Sequence, residues 1–184
     1  IFPALFLGHS LYIMPEIIKR DSQKIIDFYI ENNIDISEST PTFLQFILKG
    51  LKLKNTFLPL KYLLVGGEVL PKDTVKELFS YINSTNFSIA NVYGPTECCV
   101  VSSFYEIKQS ELNKYHSIPI GKPMPNEYIY IIDKDKNPTP IGIPGELYIS
   151  GEGVGRNYIN QHSLTAEKFL PDPFNKAYRM YKTG

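Results

Sequence analysis

Apolar and polar positions follow two different rhythms along this chain. Between Ser22 and Asn32, the apolar Ile25, Ile26, Tyr29 and Ile30 share one face of a 3.6-residue repeat, which predicts a helix. Pro41 opens a second helical stretch, expected to end near Gly50. Pro71 opens a third, with Val75, Leu78, Phe79 and Ile82 at i, i+3, i+4 and i+7. Between these lie short strand-like runs: Ile34 to Glu38, Lys61 to Val65 running into Gly66-Gly67, and Phe87 to Val92. Upstream, the apolar run from Ile1 to Met14 reads as core, with Ser10 to Met14 a short buried strand. Strands alternating with helices predict a parallel sheet with helices against its faces.

After about residue 100 the rhythm changes. Val100 to Ile107, Tyr128 to Asp133 and Glu146 to Ser150 read as strands between Pro- and Gly-rich turns. Helical periodicity returns only at Leu164 to Phe169. The expectation is therefore an α/β fold in two incomplete parts. Residues 1–100 supply a parallel sheet with flanking helices, and residues 101–184 a mostly antiparallel sheet or distorted β-barrel. There is no internal repeat or low-complexity tract. The chain opens inside an apolar run without Met and stops at Tyr181-Lys182-Thr183-Gly184, which reads as a piece of something longer.

Composition narrows the function. Lys+Arg and Asp+Glu are both 19, so there is no net charge, and 43% of the 184 residues are hydrophobic. That balance argues against a nucleic-acid binder or a polybasic membrane anchor and leaves a nucleotide pocket open. The apolar opening lacks a basic leader and is shorter than the ~20 residues needed to span a bilayer. The two cysteines, Cys98 and Cys99, are adjacent. Their α-carbons, ~3.8 Å apart, are closer than an ordinary disulfide prefers. A reducing, cytoplasmic compartment is expected.

In a parallel α/β sheet, ligands sit beyond the carboxyl ends of the strands. Two such ends are unusual here. At Gly66-Gly67-Glu68, missing side chains allow a flat ligand to lie against backbone. The segment Asn91-Val92-Tyr93-Gly94-Pro95-Thr96-Glu97 offers an amide, an aromatic face, a hydroxyl and a carboxylate within one turn. Asn91 can read the donor–acceptor edge of adenine, Tyr93 can stack on it and Thr96 can donate to a phosphate oxygen. Glu97 can hold Mg²⁺, a hard cation that prefers oxygen ligands. Equally, Gly94-Pro95 can be a plain turn and Glu97 a solvated acid.

A resemblance separates these alternatives. Asn91 to Glu97 resembles the N-x-Y-G-P-T-E motif of nonribosomal peptide synthetase adenylation domains, in the adenylate-forming superfamily. Pro119-Ile120-Gly121-Lys122-Pro123 resembles P-I-G-x-P, and Gly145 to Val154 resembles G-E-L-x-I-x-G-x-G-V. The likeness continues through Arg156, Tyr158 and Asn160 to Leu164-Thr165-Ala166-Glu167-Lys168-Phe169, and Tyr181 to Gly184 resembles the start of Y-[RK]-T-G-D. Gly155 stands where Ala is common and Asn157 where Gly is common.

The resemblance implies the large lobe of an adenylate-forming enzyme. The implied reaction joins an amino-acid carboxylate to Mg-ATP, giving aminoacyl-AMP and pyrophosphate. Transfer to phosphopantetheine on a carrier domain follows, with a condensation domain as a further partner. It assigns Thr96 and Glu97 to catalysis, Glu97 to the metal, and Gly67, Glu68, Asn91, Tyr93, Gly94 and Thr96 to the nucleotide. Counting from the matched motifs places a side-chain pocket at Glu38, Leu64, Gly66, Val92, Val100 and Val101. A carboxylate among aliphatic walls is costly unless paired, so Glu38 suggests a substrate with a basic side chain such as ornithine or lysine. Against this, Glu38 can point to solvent. The family's phosphate loop, ribose Asp and catalytic Lys are not in this sequence, so residues 1–184 alone are expected to be inactive in ATP–pyrophosphate exchange. The alternatives are an acyl- or aryl-CoA synthetase of the same superfamily and a non-catalytic nucleotide-binding remnant.

Other signals carry less. Asp133-Lys134-Asp135-Lys136-Asn137 imitates a calcium loop, but Pro138 replaces the needed Gly, so a hairpin turn is expected. His9, His116 and His162 have no ligand spacing. Cys98 and Cys99 read as packing residues.

Overall fold

The computed structural model describes residues 2–184, with side chains from residue 4 onward. The chain divides into two compact units, residues 1–90 with 107–118, and residues 91–106 with 119–184.

The first unit begins with α1 (Phe2–Phe6) and the short α2 (Glu16–Lys19). Helix α3 (Ser22–Glu31) is capped by Asp21, whose Oδ1 accepts from the amides of Gln23 and Lys24 at 3.0 and 3.3 Å. This satisfies amides that the first helical turn leaves orphaned. Strand β1 (Ile36–Ser39) leads into α4 (Pro41–Lys54), capped by Thr40 with Pro41 in its first turn. Strand β2 (Tyr62–Gly66) runs parallel to β1, and α5 (Lys72–Phe79) follows. The core of this unit comprises Ile25, Ile26 and Tyr29 of α3; Leu44, Ile47, Leu48 and Leu51 of α4; Leu63 and Val65 of β2; and Val75 and Leu78 of α5. The apolar periodicity of the three helices is therefore the buried face, except that Ile30 is 45% exposed.

Strand β3 (Ser88–Tyr93) crosses from the first unit to the second, and β4 (Ser103–Ile107) follows. The two-residue β5 (Lys122–Pro123), β6 (Glu127–Ile132), β7 (Glu146–Gly151), α6 (His162–Lys168), β8 (Phe169–Pro171) and β9 (Arg179–Lys182) complete the second unit. The strands form a mixed sheet in the order β1-β2-β3-β4-β5 and a separate antiparallel sheet in the order β6-β7-β9-β8. Strands β4 and β5 pair antiparallel. The fold is thus α/β, and no closed barrel is present among the described residues. Among those residues, no helix is long and apolar enough to cross a membrane.

Several expectations need correction. Ser10 to Met14 is not a buried strand: it is irregular, and Leu11, Tyr12 and Ile13 are exposed, as are Phe6 and Leu7. An apolar run becomes a strand only with a ladder partner, and this one has none among the described residues. Ile1 lies outside the described residues. Gly50 does not end α4, which continues to Lys54 and is closed by Asn55 at φ 48°. A Cβ at Gly50 would lie 2.1 Å from the Ser22 carbonyl oxygen, so glycine is there to let α3 approach. Helix α5 stops at Phe79, short of Ile82, where the Ser80 and Tyr81 amides bond back to Glu77 and Leu78. Strand β1 starts at Ile36 and not Ile34. Strand β4 starts at Ser103 and not Val100, because Cys99 and Val100 adopt φ of 55° and 75°, outside the extended region.

Candidate functional site

In the first unit, the parallel register pairs Glu38 with Leu64. Gly66 lies two residues further along β2, so these three positions share one face of the sheet, while Ser39, Leu63 and Val65 are buried on the other. Glu38 is exposed on that face, as the solvent reading has it. Beyond β2, Gly67 adopts φ +85°, and a Cβ there would meet only the Thr40 methyl, at 3.9 Å. Backbone conformation, and not crowding, requires glycine here. Glu68 is tied to the start of α4: its Oε2 accepts from the Thr42 hydroxyl at 2.6 Å and the Thr42 amide at 3.2 Å.

In the second unit, the turn after β3 closes on itself. The Ser102 amide donates to the Tyr93 carbonyl at 2.8 Å, and the Cys98 amide to the Pro95 carbonyl at 2.9 Å. A Cβ on Gly94 would lie 2.6 Å from the Val100 carbonyl oxygen, so no side chain fits there. Asn91 is buried and donates through Nδ2 to the Pro119 carbonyl at 2.9 Å. It thereby ties the end of β3 to the Pro119–Pro123 segment. Tyr93 packs against a core of Cys98, Ile149, Phe169 and Tyr181. Val92 is buried, Val101 half-buried and Val100 exposed.

Residues 96–98 form a single 3₁₀ turn that leaves Thr96 exposed and Glu97 half-buried. The Tyr158 hydroxyl donates to Glu97 Oε1 at 2.5 Å, and the Tyr158 and Tyr181 hydroxyls are 3.2 Å apart. A phenol carries one proton. Because Tyr158 gives its proton to the carboxylate, Tyr181 is the donor in the second contact. The bond from Tyr158 is the main reason the Glu97 carboxyl is held below the usual carboxylate range, against its partial desolvation; Tyr181 and the Lys168 charge add to it. Burial pushes both phenols up, reinforced by Glu97 at Tyr158 and by the Tyr158 bond at Tyr181, so they remain donors at neutral pH.

The backbone of Glu97 is fastened as well. Its carbonyl accepts from the Gly155 amide at 2.7 Å, and Arg179 Nη2 bonds the carbonyls of Gly155 and Arg156, each at 2.6 Å. The Tyr158 amide donates to Thr165 Oγ1 at 3.0 Å. Phe169 braces both phenols, with ring centroids 5.2 Å from each.

This arrangement offers an ionised carboxylate whose one phenol donor uses about a quarter of its roughly four acceptor sites, beside an exposed hydroxyl. Among the described residues, no three His, Cys, Asp or Glu side chains are grouped to hold a metal alone. The single ionised carboxylate is a hard oxygen donor of the kind that Mg²⁺ takes together with substrate phosphates and water. Cys98 is no nucleophile, since burial pushes its thiol up to about 12. Asp133 caps a tight turn through the Asp135 and Asn137 amides, as expected of a hairpin.

The sequence marked Tyr158 and Tyr181 only as motif matches, without a role, and did not mark Asp172. Buried Asp172 accepts from the Ser150 hydroxyl at 2.5 Å, the Phe174 amide at 2.7 Å, the Asn175 amide at 3.0 Å and the Tyr130 hydroxyl at 3.2 Å. The available signal was that Tyr158 and Tyr181 stand inside matched motifs, and that Asp172 is a lone charge between Pro171 and Pro173.

Comparison with known proteins gives the family of the chain. A model of the AMP-binding enzyme family matches residues 1–159. The chain is 45% identical over 184 residues to bacitracin synthase 1 of Bacillus licheniformis, covering 100% of this chain and 4% of the relative. It is 38% identical over 191 residues to surfactin synthase subunit 1 of Bacillus subtilis (strain 168), with 100% and 5% covered. It is 38% identical over 185 residues to gramicidin S synthase 2 of Brevibacillus brevis, with 100% and 4% covered. The chain thus spans about a twentieth of the length of the curated relatives it matches.

Proposed function

The chain belongs to the AMP-binding enzyme family, and from that premise we propose that it is part of an amino-acid-activating adenylation domain of a nonribosomal peptide synthetase. The observation carrying this reading is the Glu97 carboxylate, kept ionised by Tyr158 and set beside exposed Thr96 at the end of β3. In the reaction, a substrate carboxylate oxygen attacks the α-phosphorus of ATP, the bond to the bridging oxygen breaks, and pyrophosphate leaves. Glu97 holds Mg²⁺, which when bound neutralises phosphate charge. Thr96 donates to a phosphate oxygen. Tyr93 faces adenine, and Gly94 lets the turn close. Asn91 meets adenine through its carbonyl, since its amide already serves Pro119.

The finer parts of the reading belong to the same proposal. Residues 1–100 belong to an α/β subdomain, and residues 101–184 to a barrel-like one. The aminoacyl group then passes to phosphopantetheine on a carrier domain, with a condensation domain as neighbour, in the cytoplasm. Glu38, Leu64 and Gly66 belong to the amino-acid side-chain pocket. The shared face of Glu38, Leu64 and Gly66 supports that assignment. The relatives do not favour the CoA-synthetase alternative.

The test is amino-acid-dependent ATP–pyrophosphate exchange by the full-length protein. Glu97→Gln is expected to lower it by about 100-fold, the scale of losing one preorganised electrostatic contact. Full exchange by that variant would overturn the reading.

A further inference from the structure

We propose that Tyr158 and Tyr181 are positioning residues for the metal-bound nucleotide: a two-phenol relay that fixes the Glu97 carboxylate in the orientation from which it takes the cation. The inference rests on the assignment of Glu97 to the metal. It does not follow from that assignment, because a lone solvated carboxylate could also hold Mg²⁺.

Four observations carry it. The contact from Tyr158 to Glu97 Oε1, at 2.5 Å, is as short as charge-assisted O–H···O⁻ bonds become. The second phenol stands behind the first at 3.2 Å and is 6% exposed, so water does not readily replace it. Phe169 packs against both rings, at 5.2 Å from each, which fixes where the hydroxyls point. The Gly155 amide holds the main chain of Glu97 from the same loop that carries Tyr158. The carboxylate is therefore held at both ends by elements far from it in sequence. A packing tyrosine has no need of a carboxylate partner. A metal-holding carboxylate does need a fixed rotamer, and outer partners of this kind commonly set metal affinity.

The experiment uses the full-length protein with Mn²⁺ and α,β-methylene-ATP as the probe. Binding is followed by the enhancement of water proton relaxation that appears when the Mn–nucleotide complex joins the protein. Binding of the metal-free nucleotide is measured alongside. Tyr158→Phe keeps the ring on Phe169 and removes only the hydroxyl. It is expected to weaken the Mn–nucleotide complex about 10-fold, the lower end of the usual outer-partner effect, with metal-free nucleotide binding unchanged. Tyr181→Phe, which leaves the direct bond in place, is expected to weaken it about threefold, as for one neutral hydrogen bond. If Tyr158→Phe lowers thermal stability, Tyr181→Phe decides alone.

Equal weakening of metal-bound and metal-free nucleotide would show a packing role and overturn the inference. Unchanged Mn–nucleotide binding in both phenylalanine variants, with loss in Glu97→Gln, would also overturn it while leaving Glu97 at the metal. Unchanged binding in Glu97→Gln would remove the assignment on which it rests.

Discussion

Replacing Gly50 by Ala separates two readings of the same residue. By helix propensity alone, Ala in the interior of α4 should stabilise by about 0.8–1.0 kcal/mol. The packing says the reverse. The new Cβ would stand 2.1 Å from the Ser22 oxygen, 2.7 Å from the Ser22 carbonyl carbon and 3.0 Å from Ile26 Cγ1. Ordinary contact begins at 3.4 Å, so α3 and α4 must part by about 1.3 Å. The obstacle is backbone, and no rotamer change relieves it. Overpacking of this kind costs about 1–3 kcal/mol, and a gap of this size also forfeits dispersion contacts along the interface. With the propensity gain subtracted, the net loss is about 1 kcal/mol, or about fivefold in a local opening equilibrium. Hydrogen exchange by mass spectrometry on peptides covering residues 22–31 and 41–54 of the full-length protein reads this locally. Faster exchange by that factor is expected in both helices. Gly155→Ala serves as the control: its Cβ would lie 3.0 Å from the Glu97 oxygen, with nothing else nearer than 3.8 Å, and exchange there should hardly change. Unchanged or slower exchange in Gly50→Ala would refute the close-approach account.

Two further outcomes follow from buried carboxyls. Burial raises the Glu127 carboxyl above its ordinary 4.5, and one of its oxygens is buried without a partner. The folded protein therefore binds this proton more tightly than the unfolded chain. Stability from this group is present below the unfolded pKa and is lost as pH rises through the raised folded value. Glu127→Gln should flatten that loss, so that melting temperature measured against pH gains more at pH 8 than at pH 4; an equal shift at both would contradict it. Asp172→Ala strands four donors, two of them backbone amides, and should destabilise the antiparallel sheet by about 3 kcal/mol, read as faster exchange across residues 146–151 and 179–182, with Asp172→Asn recovering part of the loss.

What the sequence made legible were features with a local cause. Helix α3 follows from Ile25, Ile26 and Tyr29 recurring at helical spacing, and the start of α4 from Pro41 in its first turn. Features with a distant cause were misread or missed. Gly50 answers to Ser22, which lies on another helix. The run from Ser10 to Met14 is apolar enough for a strand, but a strand exists only where another offers its edge. The Cys99–Val100 bend is set by closure of the turn onto Tyr93 and Pro95. At the candidate site, the turn chemistry of Asn91 to Glu97 was visible in seven consecutive letters. The Tyr158 bond to Glu97 spans 61 residues, and no local pattern marks a contact of that separation.

The central claim is that Glu97, at the end of β3, holds the metal of a bound nucleotide. The most direct measurement is the structure of the full-length protein with Mg²⁺ and α,β-methylene-ATP. The account predicts the ion at about 2.1 Å from a Glu97 carboxylate oxygen, bridging to phosphate, with Tyr158 still donating to that carboxylate. Mg-nucleotide bound elsewhere, with the Thr96–Glu97 turn facing away from it, would contradict the account.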